Sequence, residues 1–323
     1  MTITERRQLG LTDIHVSPIA LGCWPIAGMT SLGVNDADSL ATIEACFELG
    51  VNFLDTAYCY GANGKSERLI AKALGHRRDE MVIATKGGIH WGPDGKQVVD
   101  GRPETLLREC DESLRRLNTD RVELLYLHCP DPNTPIAESA GTLHDLMKRG
   151  KTRSVGFSNA TLSQLQEFAA ECPLSAYQPK YNMLQRDIER SQLPWCREHH
   201  VSVMVYWPLL KGLLTGKFAR DHHFDPRDGR LKYPMFQGAE WQHNQDFIDA
   251  LRPIARDADR SVAQLVLQWT IEQPGVTAAL CGAKRRDQIV DNAGGAVGQL
   301  TPSQRAAIDA ALKHRNEAIS GAV

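Results

Sequence analysis

Short apolar runs alternate with longer amphipathic stretches from one end of the chain to the other. The apolar runs are SPIALGC (17–23), VNFLD (51–55), MVIATK (81–86), VELLYLH (122–128), TRSVGFS (152–158), SAYQ (175–178), VSVMVYW (201–207) and TAALCG (277–282). Each is four to seven residues long and rich in branched or aromatic side chains. That pattern predicts strands buried on both faces. Between them, Asp36 to Leu49 is periodic and is stopped by Gly50, which stands where a helix C-terminus favours glycine. Pro103 opens a second helix with apolar positions at Leu106, Leu107, Cys110, Leu114 and Leu117, the proline occupying a first-turn position that needs no N–H. Pro135 to Met147 predicts a third, with Lys148 and Arg149 in a basic last turn before Gly150. Further helices are predicted from Thr161, over Asp187 to His199, over Ser261 to Glu272 and over Arg285 to Ala293.

Eight strands alternating with helices imply parallel strands joined by right-handed crossovers. A doubly wound sheet would alternate too. Its nucleotide signature, GxGxxG after the first strand, is absent, because the sequence there reads LGCWPIAGM. The prediction is therefore an α/β protein with a closed (β/α)8 TIM barrel, one domain over residues 1–323. No internal repeat, low-complexity tract or linker divides it. Only Lys211 to Gln242 loses the rhythm, and it is expected to be a long functional or disordered loop (211–242) after strand seven.

Composition narrows the class. The 323 residues carry a net charge of −2 with a pI near 6.6, which argues against nucleic acid or a membrane surface as partner. No run reaches about eighteen apolar residues, so no transmembrane helix is expected. The polar N-terminus MTITERRQLGLTDIHV lacks the apolar core of a signal peptide, so a cytoplasmic location is expected. Eight cysteines stand singly, without CxxC pairs, as reduced structural thiols do.

In a parallel barrel the active site is built from the C-terminal strand ends. Strand two ends in Asp55 and runs on to Tyr60, strand three ends in Lys86, and strand four ends in His128. Taken singly, such an aspartate is a turn residue, the lysine a solvated end and the histidine a hydrogen-bonded core residue. Together they suit protonation of a developing alkoxide: the ammonium lowers the phenol pKa, the carboxylate holds the ammonium, and the imidazole polarises a carbonyl.

These residues carry a resemblance. GVNFLDTAYCYGANGKSE resembles the signature of the aldo-keto reductases, and VIATKGG, LLYLHCPDP, SVGFSN, YQPKYNM, YWPLLKGLLTGK and CGAKRRDQIVDN follow in family order. The opening RRQLGLTDIHVSPIALG resembles the family's N-terminal β-hairpin, which caps the barrel bottom. The resemblance implies a catalytic tetrad of Tyr60 as general acid with Asp55, Lys86 and His128. It implies a nicotinamide dinucleotide bound without a GxGxxG turn. Ser158, Asn159 and Gln178 would hydrogen-bond the carboxamide, and Tyr206 would stack on the nicotinamide. Trp207, Pro208 and Leu209, with Gly212, Leu214 and Lys217, would follow the phosphates. Gly282, Ala283, Lys284, Arg285 and Arg286 lead into a helix with Gln288, Asp291 and Asn292, where the three cations would meet a 2′-phosphate. NADPH is thus the expected cofactor, with NADH the alternative. The chain departs from the family where Trp207 replaces a serine, where Cys281 replaces a proline, and where Lys284 replaces an arginine and loses its planar fork.

Trp24, Tyr58 and Trp91 are expected to wall the substrate pocket. His222 and His223 are read as solvated loop residues, and no metal site is expected. The activity implied is reduction of a small-molecule aldehyde or ketone to an alcohol. The alternatives are a sugar or alcohol dehydrogenase using the same site, and a non-catalytic NADPH-binding regulatory subunit. Monomer and homo-oligomer both remain open.

Overall fold

The computed structural model describes residues 2–29 and 32–320. A hairpin of β1 (Arg7–Gln8) and β2 (His15–Val16) opens the chain. Then come β3 (Ile19–Gly22), α1 (Asp36–Leu49), β4 (Phe53–Asp55), α2 (Lys65–Leu74) and β5 (Val82–Gly87). A second hairpin, β6 (Ile89–Trp91) with β7 (Gln97–Val99), precedes α3 (Pro103–Leu117) and β8 (Leu124–Leu127). The rest runs α4 (Ile136–Lys148), β9 (Val155–Ser158), α5 (Leu162–Glu171), β10 (Leu174–Gln178), α6 (Gln192–Glu198) and β11 (Ser202–Tyr206). It ends with α7 (Gly238–Asp257), α8 (Val262–Ile271), β12 (Val276–Gly282), α9 (Arg286–Gly294) and α10 (Pro302–Ser320).

Strands β3, β4, β5, β8, β9, β10, β11 and β12 are parallel to their neighbours and close into a barrel. All eight coincide with the apolar runs of the sequence. Alternation along each strand sorts its side chains into two sets. Phe53, Val82, Ala84, Leu124, Tyr126, Ala176, Met204, Ala278 and Leu280 fill the interior. Leu54, Ile83, Leu125, Phe157, Tyr177 and Val205 face the helices. Gly156 is glycine because a Cβ there would lie 2.3 Å from the Tyr126 ring, so the small residue of one strand admits the large one of its neighbour. Leu9, Ile14 and Val16 of the first hairpin plug the bottom of the same interior cluster. The Gly10 N–H donates to Ser202 Oγ at the start of β11, at 2.8 Å.

The structure departs from the sequence reading in several places. The aperiodic segment carries short 3-10 turns at Leu210–Thr215, Gly229–Lys232 and Pro234–Phe236, and α7 begins inside it, at Gly238. Helix α7 was not expected, although Trp241, Phe247, Ile248, Leu251 and Ala255 bury one face of it. Helix α10 was not expected either; it packs on α7, where buried Arg315 donates to Asn244 Oδ1 at 2.8 Å. The predicted helix over 187–199 divides into a 3-10 turn, Asp187–Arg190, and the short α6. The hairpin β6–β7 had no counterpart in the predicted elements. No helix of the described residues is long and apolar enough to cross a membrane.

Candidate active site

The parity that fills the barrel also selects what stands at its mouth. Continuing each inward set to the strand end reaches Asp55 after Phe53, Lys86 after Ala84, His128 after Tyr126, Ser158 after Gly156, Gln178 after Ala176 and Tyr206 after Met204. Six inward positions from six strands therefore share one end of the barrel. Backbone pairing sets their heights: Asp55 is level with Ala84, Lys86 with Tyr126, and Ser158 with Gln178.

At the centre, Lys86 Nζ lies 2.6 Å from Asp55 Oδ1 and donates to the Thr56 carbonyl at 2.7 Å and to the Tyr60 hydroxyl at 3.4 Å. Lys86, Asp55 and Tyr60 are all buried. Gln178 Nε2 donates to the second oxygen of Asp55 at 2.7 Å, so both carboxylate oxygens are satisfied. Burial pushes the Asp55 carboxyl upward while the Lys86 ammonium and the Gln178 amide oppose it. Burial also drives the Tyr60 phenol well above its ordinary range, and the Asp55 charge adds to that. The net shift is upward, where the lysine alone would lower the tyrosine, because desolvation of the buried phenolate outweighs the ammonium. The Tyr60 hydroxyl thus holds its proton. His128 faces Tyr60 edge-on, ring centroids 5.9 Å apart, and burial together with Lys86 holds the imidazole neutral, well below its ordinary pKa.

The supporting layer lies behind. Thr56 donates to Ser66 and Thr85 to Glu67, each at 2.8 Å, and Arg116 reaches Glu67 at 3.3 Å. The Ser66–Glu67 pair of the signature therefore anchors α2 beneath the strand ends of β4 and β5.

A second cluster forms beside the first. Ser158 Oγ donates to the Gln178 carbonyl at 2.9 Å, and Asn159 Nδ2 to the His128 carbonyl at 3.1 Å. The Tyr206 hydroxyl donates to Asn159 Oδ1 at 2.7 Å. Asn159 is held at φ 62°, a conformation asparagine tolerates better than most residues. Beyond Tyr206 the backbone is strained: Trp207, Leu210 and Lys211 all have φ between 43° and 57°, and Gly212 reaches 90°. Such clustered strain is stored where surrounding structure enforces it, characteristically at ligand sites. Pro208, Leu209 and Leu214 are buried and anchor this stretch to the core.

Four cations gather next to it. The Lys217 amine is depressed by burial and by Arg230, Lys284 and Arg285. Lys284 is lowered by burial, Arg285 and Arg230. These cations come from the loop after β11 and the start of α9. Arg230 is paired with Asp228 at 2.5 Å and Arg285 with Asp287, and the two lysines still lie in a net positive surrounding that an anion would relieve. Arg230 escaped sequence reading because it lies in the aperiodic segment. So did the setting of Lys211, whose Nζ sits 3.9 Å over the Trp207 ring and 4.5 Å over Tyr233. Burial and Arg230 push that amine down to about 8.

The other sequence candidates divide. Arg286 turns away and reaches Glu48 of α1 at 3.1 Å, so the run of three cations is not one cluster. Arg285 also pairs with Asp287 at 2.9 Å. Gln288 Oε1 accepts from the Lys284 N–H at 2.9 Å, and Asp291 accepts from Ser261 at the start of α8 at 2.9 Å. Asn292 is buried, and its amide nitrogen has no partner among the described residues; a buried polar group in that state calls for a water or a ligand. Gly282, at the end of β12, is exposed, and Ala283 is buried; a Cβ on Gly282 would lie 2.9 Å from Pro25.

Trp24 packs edge-on against Tyr60, ring centroids 5.0 Å apart. Trp91, 41% exposed, rises on β6 and donates its indole N–H to the Cys59 carbonyl at 2.8 Å. Tyr58 is turned to the outer helix instead, its hydroxyl on Glu112 at 2.7 Å and its ring under Arg116. His222 and His223 are exposed, the former packed on Phe218 and Phe224.

A closed parallel barrel whose mouth buries an aspartate–lysine–tyrosine triad beside a neutral histidine, with an anion-ready rim, is the frame of a (β/α)8 oxidoreductase. The model of the Aldo/keto reductase family matches residues 18–313, and the chain belongs to that family, whose members use nicotinamide cofactors. It is 34% identical over 288 residues to the aldo-keto reductase YhdN of Bacillus subtilis, covering 88% of this chain and 86% of that one. It is 32% identical over 304 residues to the NADH-specific methylglyoxal reductase of Escherichia coli, covering 89% and 92%. Among solved structures, the glycerol dehydrogenase of Gluconobacter oxydans superposes with a TM-score of 0.89 at 34% identity, over 96% of this chain and 95% of its own. An aldo-keto reductase of Bacillus halodurans in its holo form gives 0.78 at 28%, over 95% and 96%.

Proposed function

We propose that the protein reduces small aldehydes or ketones with NADPH, with Tyr60 as general acid. The observation that carries this reading is the buried Tyr60 hydroxyl, 3.4 Å from an ammonium that Asp55 holds in place. A carbonyl oxygen beside Tyr60 gains negative charge as hydride reaches its carbon, and the phenol proton passes to that oxygen. Lys86 stabilises the phenolate that remains, and His128 donates a hydrogen bond to the same oxygen. Trp24 and Trp91 shape the apolar side of the pocket.

The residues present fit a nicotinamide dinucleotide. When bound, it supplies the hydride. Asn159, Ser158 and Gln178 would hold the carboxamide, and Tyr206 would stack on the ring. The strained 207–212 stretch with Lys217 and Arg230 would hold the pyrophosphate. Lys284, Arg285 and the Asn292 amide would meet the adenosine end, where the cations favour an additional phosphate. The NADH-specific relative keeps NADH as the competing cofactor. The likeness to a glycerol dehydrogenase favours one second reading, oxidation of an alcohol by the same groups in reverse.

Replacing Tyr60 by Phe tests the mechanism. Carbonyl reduction is expected to fall by about 10²-fold or more, the range general acids contribute, with NADPH binding by tryptophan fluorescence retained. Unchanged reduction would overturn the assignment.

A further inference from the structure

The two ring nitrogens of His128 have different surroundings. Nδ1 lies 3.8 Å from Sγ of Cys59, while Nε2 has no hydrogen-bond partner among the described residues. A neutral imidazole carries one proton, and the group beside one nitrogen decides which of them keeps it. Burial keeps Cys59 a thiol, its pKa pushed up to about 12, so the sulfur brings a hydrogen to this contact. The hairpin β6–β7 holds the cysteine from its other side. Gln97 Nε2 directs an N–H at the same sulfur at 4.0 Å, and Trp91 donates to the Cys59 carbonyl at 2.8 Å. With a sulfur lone pair turned to Gln97, the S–H is left to meet Nδ1. An imidazole nitrogen is also a far better acceptor than a thiol sulfur.

We propose that Cys59 is a positioning residue: its thiol hydrogen rests on His128 Nδ1 and holds the ring in the tautomer protonated at Nε2. The open nitrogen then meets the substrate oxygen as a donor rather than as a competing acceptor. Gln97 and Trp91 extend the same chain into the hairpin, so an element outside the barrel orients a group at its mouth. The inference rests on the reading of His128 as a hydrogen-bond donor and adds how the donor nitrogen is chosen.

The test is two-bond 1H–15N correlation on the full chain labelled at histidine, without ligand, His128→Asn identifying the resonance. The expected result is a fixed Nε2–H tautomer in the wild type and in Cys59→Ser, whose hydroxyl replaces the donor. In Cys59→Val, and to a smaller extent in Gln97→Ala, signals averaged between tautomers are expected. Reduction of methylglyoxal with NADPH should show kcat about 3- to 10-fold lower in Cys59→Val with KM nearly unchanged, restored in Cys59→Ser; tenfold corresponds to about 1.4 kcal/mol. A wild-type spectrum protonated at Nδ1, or the same fixed Nε2–H tautomer in Cys59→Val as in wild type, overturns the proposal. The spectrum reads the resting ring, so that failure leaves the donor role of His128 standing. If His128→Asn instead reduces carbonyls like the wild type, the donor role fails and the tautomer assignment stands.

Discussion

Lys86 Nζ lies 2.6 Å from Asp55 Oδ1, with both side chains buried. The pair joins β4 to β5 at the barrel mouth, and Lys86 also donates to the Tyr60 hydroxyl, so one contact ties the fold to the proposed general acid. Removing a single partner strands the other charge in the interior. Lys86→Met is therefore expected to lower stability by about 3–5 kcal/mol. The double variant Asp55→Asn/Lys86→Met should recover a large part of that loss. Urea unfolding of the three proteins checks this; a Lys86→Met protein as stable as wild type would mean the pair is not buried as described.

The pH dependence should differ with direction. The Tyr60 pKa is raised and the His128 pKa lowered, so between pH 7 and 9 the phenol is protonated and the imidazole neutral. Reduction needs that state and should show a flat kcat across the interval. Alcohol oxidation needs the phenolate, whose population grows with pH below a raised pKa, so its kcat should climb steadily. Steady-state rates in both directions, with each cofactor form saturating, make the comparison.

Lys211 provides a separate titration. Its amine, caged by Trp207 and Tyr233, has a pKa of about 8 in the free protein. An anionic dinucleotide favours the charged amine and raises that value on binding. Affinity should therefore weaken as pH rises through 8 and level off above the pKa of the bound form. Lys211→Gln should bind more weakly at pH 7 and lose this dependence, measured by fluorescence titration with NADPH.

The cations after β12 should prove unequal. Arg285 contributes to the field around Lys217, whereas Arg286 is engaged with Glu48. Arg285→Ala is expected to weaken NADPH binding about tenfold, an effect of about 1.4 kcal/mol, and NADH binding far less. Arg286→Ala should leave the preference between the two cofactors nearly unchanged. Equal losses of NADPH binding in both variants would restore the three-cation site suggested by the sequence.

Much was legible from order alone. Eight apolar runs marked the eight barrel strands because a strand buried on both faces leaves no room for polar interruptions. Position at the C-terminal strand ends singled out Asp55, Lys86 and His128, and only the closed barrel shows that all three stand on its inward side. Pairwise relationships were not legible. That Gln178 donates to Asp55, that Arg286 reaches Glu48, and that Tyr58 turns to Glu112 depend on how distant segments are brought together. The Tyr60 pKa belongs to this second kind: the sequence supplies the lysine, but only burial decides that desolvation outweighs it. Arg230, Lys211 and the Gln97–Cys59–His128 chain were invisible for the same reason. They lie in segments without hydrophobic periodicity or on a short hairpin, and their chemistry arises from long-range packing rather than from local pattern.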